Sequence, residues 1–114
     1  MDRVRARPGR TVRLRVDDRK STRTVALVEL SLSHVIVTSD LALEEGSEVG
    51  VLIALQDRHL EFELPAVVSW HGDGELALGF EYLSARQNYG LVLAIELERQ
   101  AARVAPKRER RAAG

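Results

Sequence analysis

Apolar and polar residues alternate with a period of two through most of the first 82 residues, a pattern that predicts β-strands with one apolar face. In 60–70, apolar residues occupy every even position from Leu60 to Trp70. Similar runs cover 11–16, 23–30, 35–37, 48–55, 60–70 and 75–82. Turn-forming residues separate them, and His71-Gly72-Asp73-Gly74 predicts a tight hairpin. Pro65 lacks a backbone donor and predicts an edge or a bulge within its strand.

Six short strands with short connections predict an antiparallel barrel or sandwich, and closure into a barrel removes exposed strand edges. After residue 83 the pattern becomes helical. Ser84 and Gln87 have the spacing of a capping box, and Gly90 weakens the helix by about 1 kcal/mol relative to alanine. The predicted organisation is a flexible basic arm at 1–10, a barrel at 11–83, a C-terminal helix at 84–104 and a disordered basic tail at 105–114.

Charge is distributed unevenly along a chain whose net charge is zero. Residues 1–23 carry nine basic and three acidic residues, a net charge of +6, and residues 99–114 carry six basic residues and one acidic residue, or +5. The body at 24–98 has two basic and thirteen acidic residues, or −11. An acidic body argues against a protein whose whole surface binds nucleic acid, and we expect no nucleic-acid partner.

Length and composition narrow the remaining classes. A chain of 114 residues is enough for one domain. It has no cysteine, so neither disulfides nor thiolate chemistry is available. The basic N-terminus leads into no apolar segment of a secretory signal, and no apolar run approaches the ~18 residues of a membrane span. We therefore expect a cytoplasmic protein without membrane insertion.

Two short motifs stand out in the first half of the chain. Arg3 and Arg7 have the spacing R-x-x-x-R, and the segment from Glu29 through Ser31 to His34 follows at a later strand end. In this order and spacing they resemble the motifs R-x-x-x-R and [D/N]-x-S-x-x-G of the PilZ domain family. The stretches Val67-Val68-Ser69-Trp70 and Leu78-Gly79-Phe80-Glu81-Tyr82 are similar to further family motifs, and the resemblance covers about residues 3–97.

The resemblance implies an all-β fold, a six-stranded antiparallel PilZ barrel with a C-terminal α-helix. It also implies that the domain binds cyclic di-GMP and couples it to a protein partner in motility, pilus function or signalling. Two positions depart from the family pattern: Glu29 replaces Asp or Asn, and His34 replaces Gly. The alternative is therefore a degenerate PilZ adaptor that binds no nucleotide and acts through protein contacts.

The candidate ligand-binding residues are Arg3, Arg7, Glu29, Ser31, His34 and Trp70. Arginine forks bind phosphate or the edge of guanine, and a carboxylate accepts bonds from guanine N–H groups. A serine hydroxyl adds a further bond. Trp70 lies on the apolar face, so barrel packing is the favoured interpretation and guanine stacking the other.

Each polar candidate also has a structural interpretation. Arg3 and Arg7 can belong to a solvated basic arm, Ser31 to a turn and His34 to the surface. Arg15 and Arg19 form a second R-x-x-x-R spacing, but Arg15 falls in a strand pattern and lies too near Glu29 in sequence.

An enzymatic function is not expected. His34, His59 and His71 lack metal-site spacing with carboxylates, and no glycine-rich phosphate loop precedes a helix. Ser31 lies close to His34 in sequence, but this adjacency at a strand end is not expected to build a catalytic triad. We expect no catalytic residue, no metal and no cofactor, with cyclic di-GMP as the candidate ligand.

Overall fold

The computed structural model describes residues 3–16, 22–55 and 60–113. Within these residues, seven strands precede one helix: β1 (Val4–Arg5), β2 (Thr11–Val16), β3 (Thr22–Leu30), β4 (His34–Thr38), β5 (Glu48–Leu55), β6 (Leu60–Gly72), β7 (Glu75–Phe80) and α1 (Ala85–Ala113). Strands β2 to β7 confirm the six predicted strands. Strand β1 was not predicted.

The sheet closes on itself. Strands pair in the order β3-β2-β5-β6-β7-β4, and β4 pairs again with β3, so six antiparallel strands form a barrel. Strand β1 pairs with Glu29 and Leu30 of β3, along the edge that β2 leaves free after Ala26. The predicted barrel is confirmed, with β1 as one additional strand.

The core consists of aliphatic side chains from every strand and from α1. Leu14, Leu64 and Leu78 are fully buried inside the barrel. Helix α1 contributes Leu91, Ala94 and Ile95, which share one face at helical spacing. No helix within the described ranges is both long and apolar enough to span a membrane.

The predicted flexible arm is instead part of the sheet over its described residues. Val4 is buried in the core, and Ala6 N–H donates to the Val28 carbonyl at 2.9 Å. The arm ends in a turn at Gly9, which has a φ of 84°. The prediction of a loose arm was therefore wrong for residues 3–10, because one buried valine and backbone pairing with β3 fix this segment. Residues 1 and 2 lie outside the described part.

The C-terminal boundary also differs from the prediction. Helix α1 continues to Ala113, so 105–113 is helical rather than a disordered tail. Alanine and arginine make up six of the nine residues of this segment and both have high helix propensity, whereas Pro106 is the one helix-breaking residue in it. The helix begins as predicted: Gln87 N–H donates to Ser84 Oγ at 3.1 Å, and Ser84 N–H donates to Gln87 Oε1 at 2.8 Å. This pair of bonds is a capping box.

The hairpin between β6 and β7 is confirmed. Asp73 and Gly74 have φ values of 54° and 76°, as a type I′ turn requires. Pro65 lies opposite Gly50 of β5. The Pro65 carbonyl accepts a hydrogen bond from Glu81 N–H, and Glu81 lies just past the end of β7. The Pro65 nitrogen, which has no hydrogen to donate, faces the same side, where the pairing of β6 with β7 has stopped. The bulge in β6 lies further along the strand, not at Pro65.

Candidate functional site

A β-bulge in β3 places Glu29 on the outside of the barrel. Leu27 pairs with Val37 and is buried, whereas Glu29 pairs with Ile36 after a register shift. In a regular strand of this sequence, without the bulge, strict alternation would put Glu29 on the same inward face as Leu27; the bulge leaves Val28 unpaired and turns Glu29 outward. The bulge therefore presents a carboxylate at the barrel surface and returns Leu30 to the core.

A second bulge does the same for Trp70. The β6–β7 register shifts between Val68, which is buried, and Trp70, which is 46% exposed. The favoured prediction that Trp70 packs inside the barrel was therefore wrong. A Cβ at Gly72 would lie 3.0 Å from the indole ring, so this glycine leaves room for the tryptophan on the outer surface. An exposed indole is available for stacking, the interpretation that the sequence left as the alternative.

The two bulges bring Glu29 and Trp70 into one cross-strand row. Glu29 pairs with Ile36, Ile36 pairs with Ala77, and Ala77 pairs with Trp70. Directly paired residues face the same side of a sheet, so these four side chains share the outer face. With strands spaced about 4.8 Å apart, the row from Glu29 to Trp70 is about 14 Å long when measured along the curved surface of the barrel.

Two positions on β7, within this surface, carry small side chains. Ala77 lies beside Trp70, and Gly79 lies between His34 of β4 and Val67 of β6 in the adjacent row. No atom would lie within 4 Å of a Cβ at Gly79, so the space above it is open. The outer face of β3, β4, β7 and β6 thus has polar groups at one side and an indole at the other, with Ile36 of β4 and the small residues of β7 between them. We call it the Glu29–Trp70 face.

Glu29 is the centre of a polar cluster at one end of this face. Its Oε2 lies 2.9 Å from His34 Nε2, and its Oε1 lies 3.9 Å from Arg3 Nε. The Glu29 side chain is 13% exposed and that of Arg3 is 66% exposed. The structure therefore brings together three predicted site residues, Arg3, Glu29 and His34, and gives the carboxylate two cationic or donor neighbours.

Ser31 belongs to the same polar cluster. Its Oγ lies 3.0 Å from His34 Nδ1 and accepts from the N–H groups of Ser33 at 3.2 Å and His34 at 3.1 Å. Residues close in sequence thus connect serine, histidine and glutamate through hydrogen bonds. The serine is only 2% exposed, and its oxygen caps the turn between β3 and β4, so it is placed as a turn residue rather than a nucleophile.

His34 sits in ordinary strand backbone. The only non-glycine residue with positive φ in the described ranges is Asp73. His34 begins β4 and pairs with Gly79, so a side chain at this position carries no left-handed strain. The replacement of the family's glycine by histidine is therefore compatible with the backbone.

The R-x-x-x-R pair is divided between two sites. Arg3 approaches Glu29, whereas Arg7 Nε lies 3.8 Å from Glu98 Oε2 on α1. Glu98 is 2% exposed and also pairs with the buried Arg10, whose Nε lies 3.2 Å from Oε2. Arg10 donates to the Ala54 carbonyl at 2.7 Å. This ion-pair group ties the turn before β2 to the helix.

Arg10 and Glu98 were not among the predicted residues. For Glu98, its position in the sequence could have indicated burial. It lies on the buried face of α1, seven residues after Leu91 and three after Ile95. A charge at that spacing on an apolar helix face requires a buried partner.

Other ion pairs lie on the outside of β2 and β6. Arg13 pairs with Glu61, and Arg15 lies 3.3 Å from Glu63. The pKa of Arg13 is raised, first by its hydrogen bond to Glu61 and second by the charge of that carboxylate. Arg15 is thus a strand residue, and Arg19 of the second R-x-x-x-R spacing lies outside the described residues. In the described ranges, no group of three His, Asp or Glu side chains could hold a metal ion.

Comparison with solved structures identifies the same fold in PilZ domains. The PilZ domain of YcgR from Escherichia coli, solved with c-di-GMP, superposes with a TM-score of 0.75 and 18% identity, covering 92% of this chain and 94% of that chain. The PilZ domain of CeSA from a cellulose-synthesizing bacterium gives 0.67 and 19%, covering 83% and 95%.

A third likeness is to the Bacillus subtilis inhibitor of motility, MotI/DgrA. It has a TM-score of 0.64 and 16% identity, covering 89% of this chain and 50% of that chain. No protein-family model matches the sequence, and no curated protein matches it significantly. The likeness therefore rests on the fold, and the predicted PilZ-type barrel with its helix is confirmed.

Proposed function

From the PilZ-type fold of this chain, we propose that it is a cyclic di-GMP receptor that couples the nucleotide to a protein partner. One observation carries the proposal: the exposed Trp70 and the Arg3–Glu29 pair lie on one continuous outer face of the barrel. The YcgR domain of the same fold was solved with c-di-GMP, which supports the choice of ligand.

The residues on this face suit the parts of the ligand. An aromatic ring as exposed as Trp70 offers a stacking surface to a guanine base. Glu29 accepts bonds from guanine N–H groups when His34 gives way, and the Arg3 fork binds phosphate or the O6/N7 edge of guanine. Arg7 contributes only when its 3.8 Å contact with Glu98 is exchanged for a phosphate.

A titration tests the proposal directly, because Trp70 is the single tryptophan of the chain. We expect cyclic di-GMP to release or absorb heat in calorimetry and to change the intrinsic tryptophan fluorescence with the same midpoint. GMP is the control, since it has one base and cannot bridge the two ends of the face. No heat and no fluorescence change at high micromolar cyclic di-GMP would exclude the receptor function.

Substitutions locate the binding surface. Arg7→Ala and Glu29→Gln are each expected to weaken binding, because each removes a charged contact to the ligand. Glu81→Gln is the matched control for Glu29, since it neutralises an exposed glutamate beyond the end of β7. Equal affinity of the Glu29→Gln and Glu81→Gln proteins would place the nucleotide elsewhere.

A second candidate function is that of a PilZ-type adaptor without nucleotide. The observation in its favour is that the polar cluster is already satisfied internally: Glu29 binds His34 at 2.9 Å, and Ser31 caps its own turn. A ligand must displace these bonds. The domain would then act through a protein partner of motility, pilus or signalling systems, and we propose the cytoplasm as its location.

Restoring the family residues separates the two candidates. If the unsubstituted domain does not bind and Glu29→Asp with His34→Gly creates binding, the adaptor function is supported. A pull-down from a bacterial lysate, with and without nucleotide, then tests for a partner. Recovery of no specific partner in either condition would count against the adaptor.

A further inference from the structure

Arg5 is a basic residue of the N-terminal segment that lies outside the R-x-x-x-R pair. Its Cα is the antiparallel partner of Glu29 in the β1–β3 register. We propose that Arg5 is a further ligand-binding residue of the Glu29–Trp70 face, where its guanidinium contacts the anionic part of a bound nucleotide. This inference rests on the proposed receptor function and adds a residue to it.

The direction of the Arg5 side chain follows from its neighbours. Val4 is buried against the core, and Ala6 is partly buried and packs on the same cluster. In a strand, alternate residues face opposite sides, so Arg5 faces outward with Glu29, and the structure shows it exposed. Arg3, two positions earlier, is also exposed and approaches the same carboxylate.

Arg5 differs from the other two arginines in its present contacts. Arg3 lies near Glu29, and Arg7 lies near Glu98. Arg5 forms no ion pair or side-chain hydrogen bond with any residue in the described part of the chain. A phosphate that approaches this edge therefore meets one guanidinium that does not have to leave a carboxylate first.

This difference in contacts orders the three arginines energetically. Arg3 and Arg7 must each break an ion pair before they bind a phosphate, and the free energy of breaking it offsets part of the free energy of the new contact. Arg5 has no ion pair to break, so its charge-assisted hydrogen bond to a phosphate carries no such cost. Arg5 and Arg3 lie at one edge of the face, where Glu29 begins the row that ends at Trp70. A nucleotide that stacks on Trp70 and extends along this row reaches both arginines.

The test compares Arg5→Ala with Arg23→Ala in calorimetric titrations with cyclic di-GMP. Arg23 is an exposed arginine at the other end of β3, so its removal changes net charge equally. We expect Arg5→Ala to weaken binding about tenfold or more, the effect of losing one charge-assisted contact, and Arg23→Ala to have a small effect. Arg5→Lys is expected to recover only part of the affinity, since it lacks the bidentate fork.

The outcomes separate this inference from the receptor function. If the unsubstituted domain binds and Arg5→Ala binds equally well, Arg5 has no role and the receptor function stands. Equal losses for Arg5→Ala and Arg23→Ala would reduce the effect to net charge and overturn the inference. Absence of binding by the unsubstituted domain overturns both proposals. Thermal unfolding of each variant verifies that the barrel is intact before affinities are compared.

Discussion

Glu29 and Trp70 lie at opposite ends of one cross-strand row, and each follows a β-bulge that reverses the direction of its side chain. Regular strands would have put both residues inside a small barrel that already contains closely packed aliphatic side chains. Bulges near functional sites commonly redirect a side chain in this way. The candidate site therefore depends on two local irregularities on opposite sides of strands β4 and β7.

The bulge in β6 can be tested by removing its extra residue. Deletion of Ser69 is expected to leave a regular ladder, because Val68 opposite Leu78 is then followed directly by Trp70 opposite Ala77, with Val68 still inward and Trp70 still outward. The barrel is therefore expected to fold with a stability close to that of Ser69→Ala. Ser69→Ala is the control, because it keeps the bulge and loses only the 3.1 Å bond to the Ala77 carbonyl, about 1 kcal/mol. Denaturant unfolding measures both, and a loss of several kcal/mol for the deletion alone would contradict this account.

Trp70 should matter little for stability. Because its side chain is 46% exposed, Trp70→Leu is expected to cost about 1 kcal/mol or less, well below the ~3–5 kcal/mol typical of truncating a large buried aromatic residue. Leu64→Ala, at a fully buried position of the same strand, is expected to cost about 2–5 kcal/mol. Urea unfolding followed by circular dichroism compares them, and a larger loss for Trp70→Leu would mean that the indole belongs to the core.

The Arg10–Glu98 ion pair should fix the N-terminal segment to the helix. Glu98→Leu leaves the buried Arg10 without its counter-ion and is expected to destabilise the domain by about 3–5 kcal/mol. The double variant Arg10→Met with Glu98→Leu removes both charges and is expected to regain much of that loss. Double-mutant analysis by denaturant unfolding tests this, and additive losses would show that the two residues are not coupled.

Gly90 has a packing reason in the structure. Alanine at this position gains about 1 kcal/mol of helix propensity, but its Cβ would lie 3.1 Å from the Phe62 ring. We expect Gly90→Ala to give no net stabilisation in the natural sequence, and to stabilise by about 1 kcal/mol when Phe62→Leu has made room. Thermal unfolding of the four proteins measures the difference, and equal effects in both backgrounds would exclude the contact with Phe62.

Much of the fold could be predicted from local patterns. Period-two alternation located β2 to β7, the residues Asp73-Gly74 predicted their hairpin, and Ser84 with Gln87 predicted the start of α1. Strand β1 was not predicted because it has only two residues, and its single apolar residue, Val4, lies between arginines. The end of α1 was not predicted correctly, because basic segments of this composition occur both in solvated tails and in exposed helices.

For the site, the sequence by itself determined which chemical groups are available: arginines near the N-terminus, the segment from Glu29 to His34, and one tryptophan. The tertiary structure alone decided which of them meet. Alternation assumes a regular strand, and a bulge is set by pairing with residues far along the chain, so the outward positions of Glu29 and Trp70 could not be read locally. The separation of Arg7 from Arg3 likewise depends on Glu98, whose burial arises only when α1 packs across the N-terminal segment.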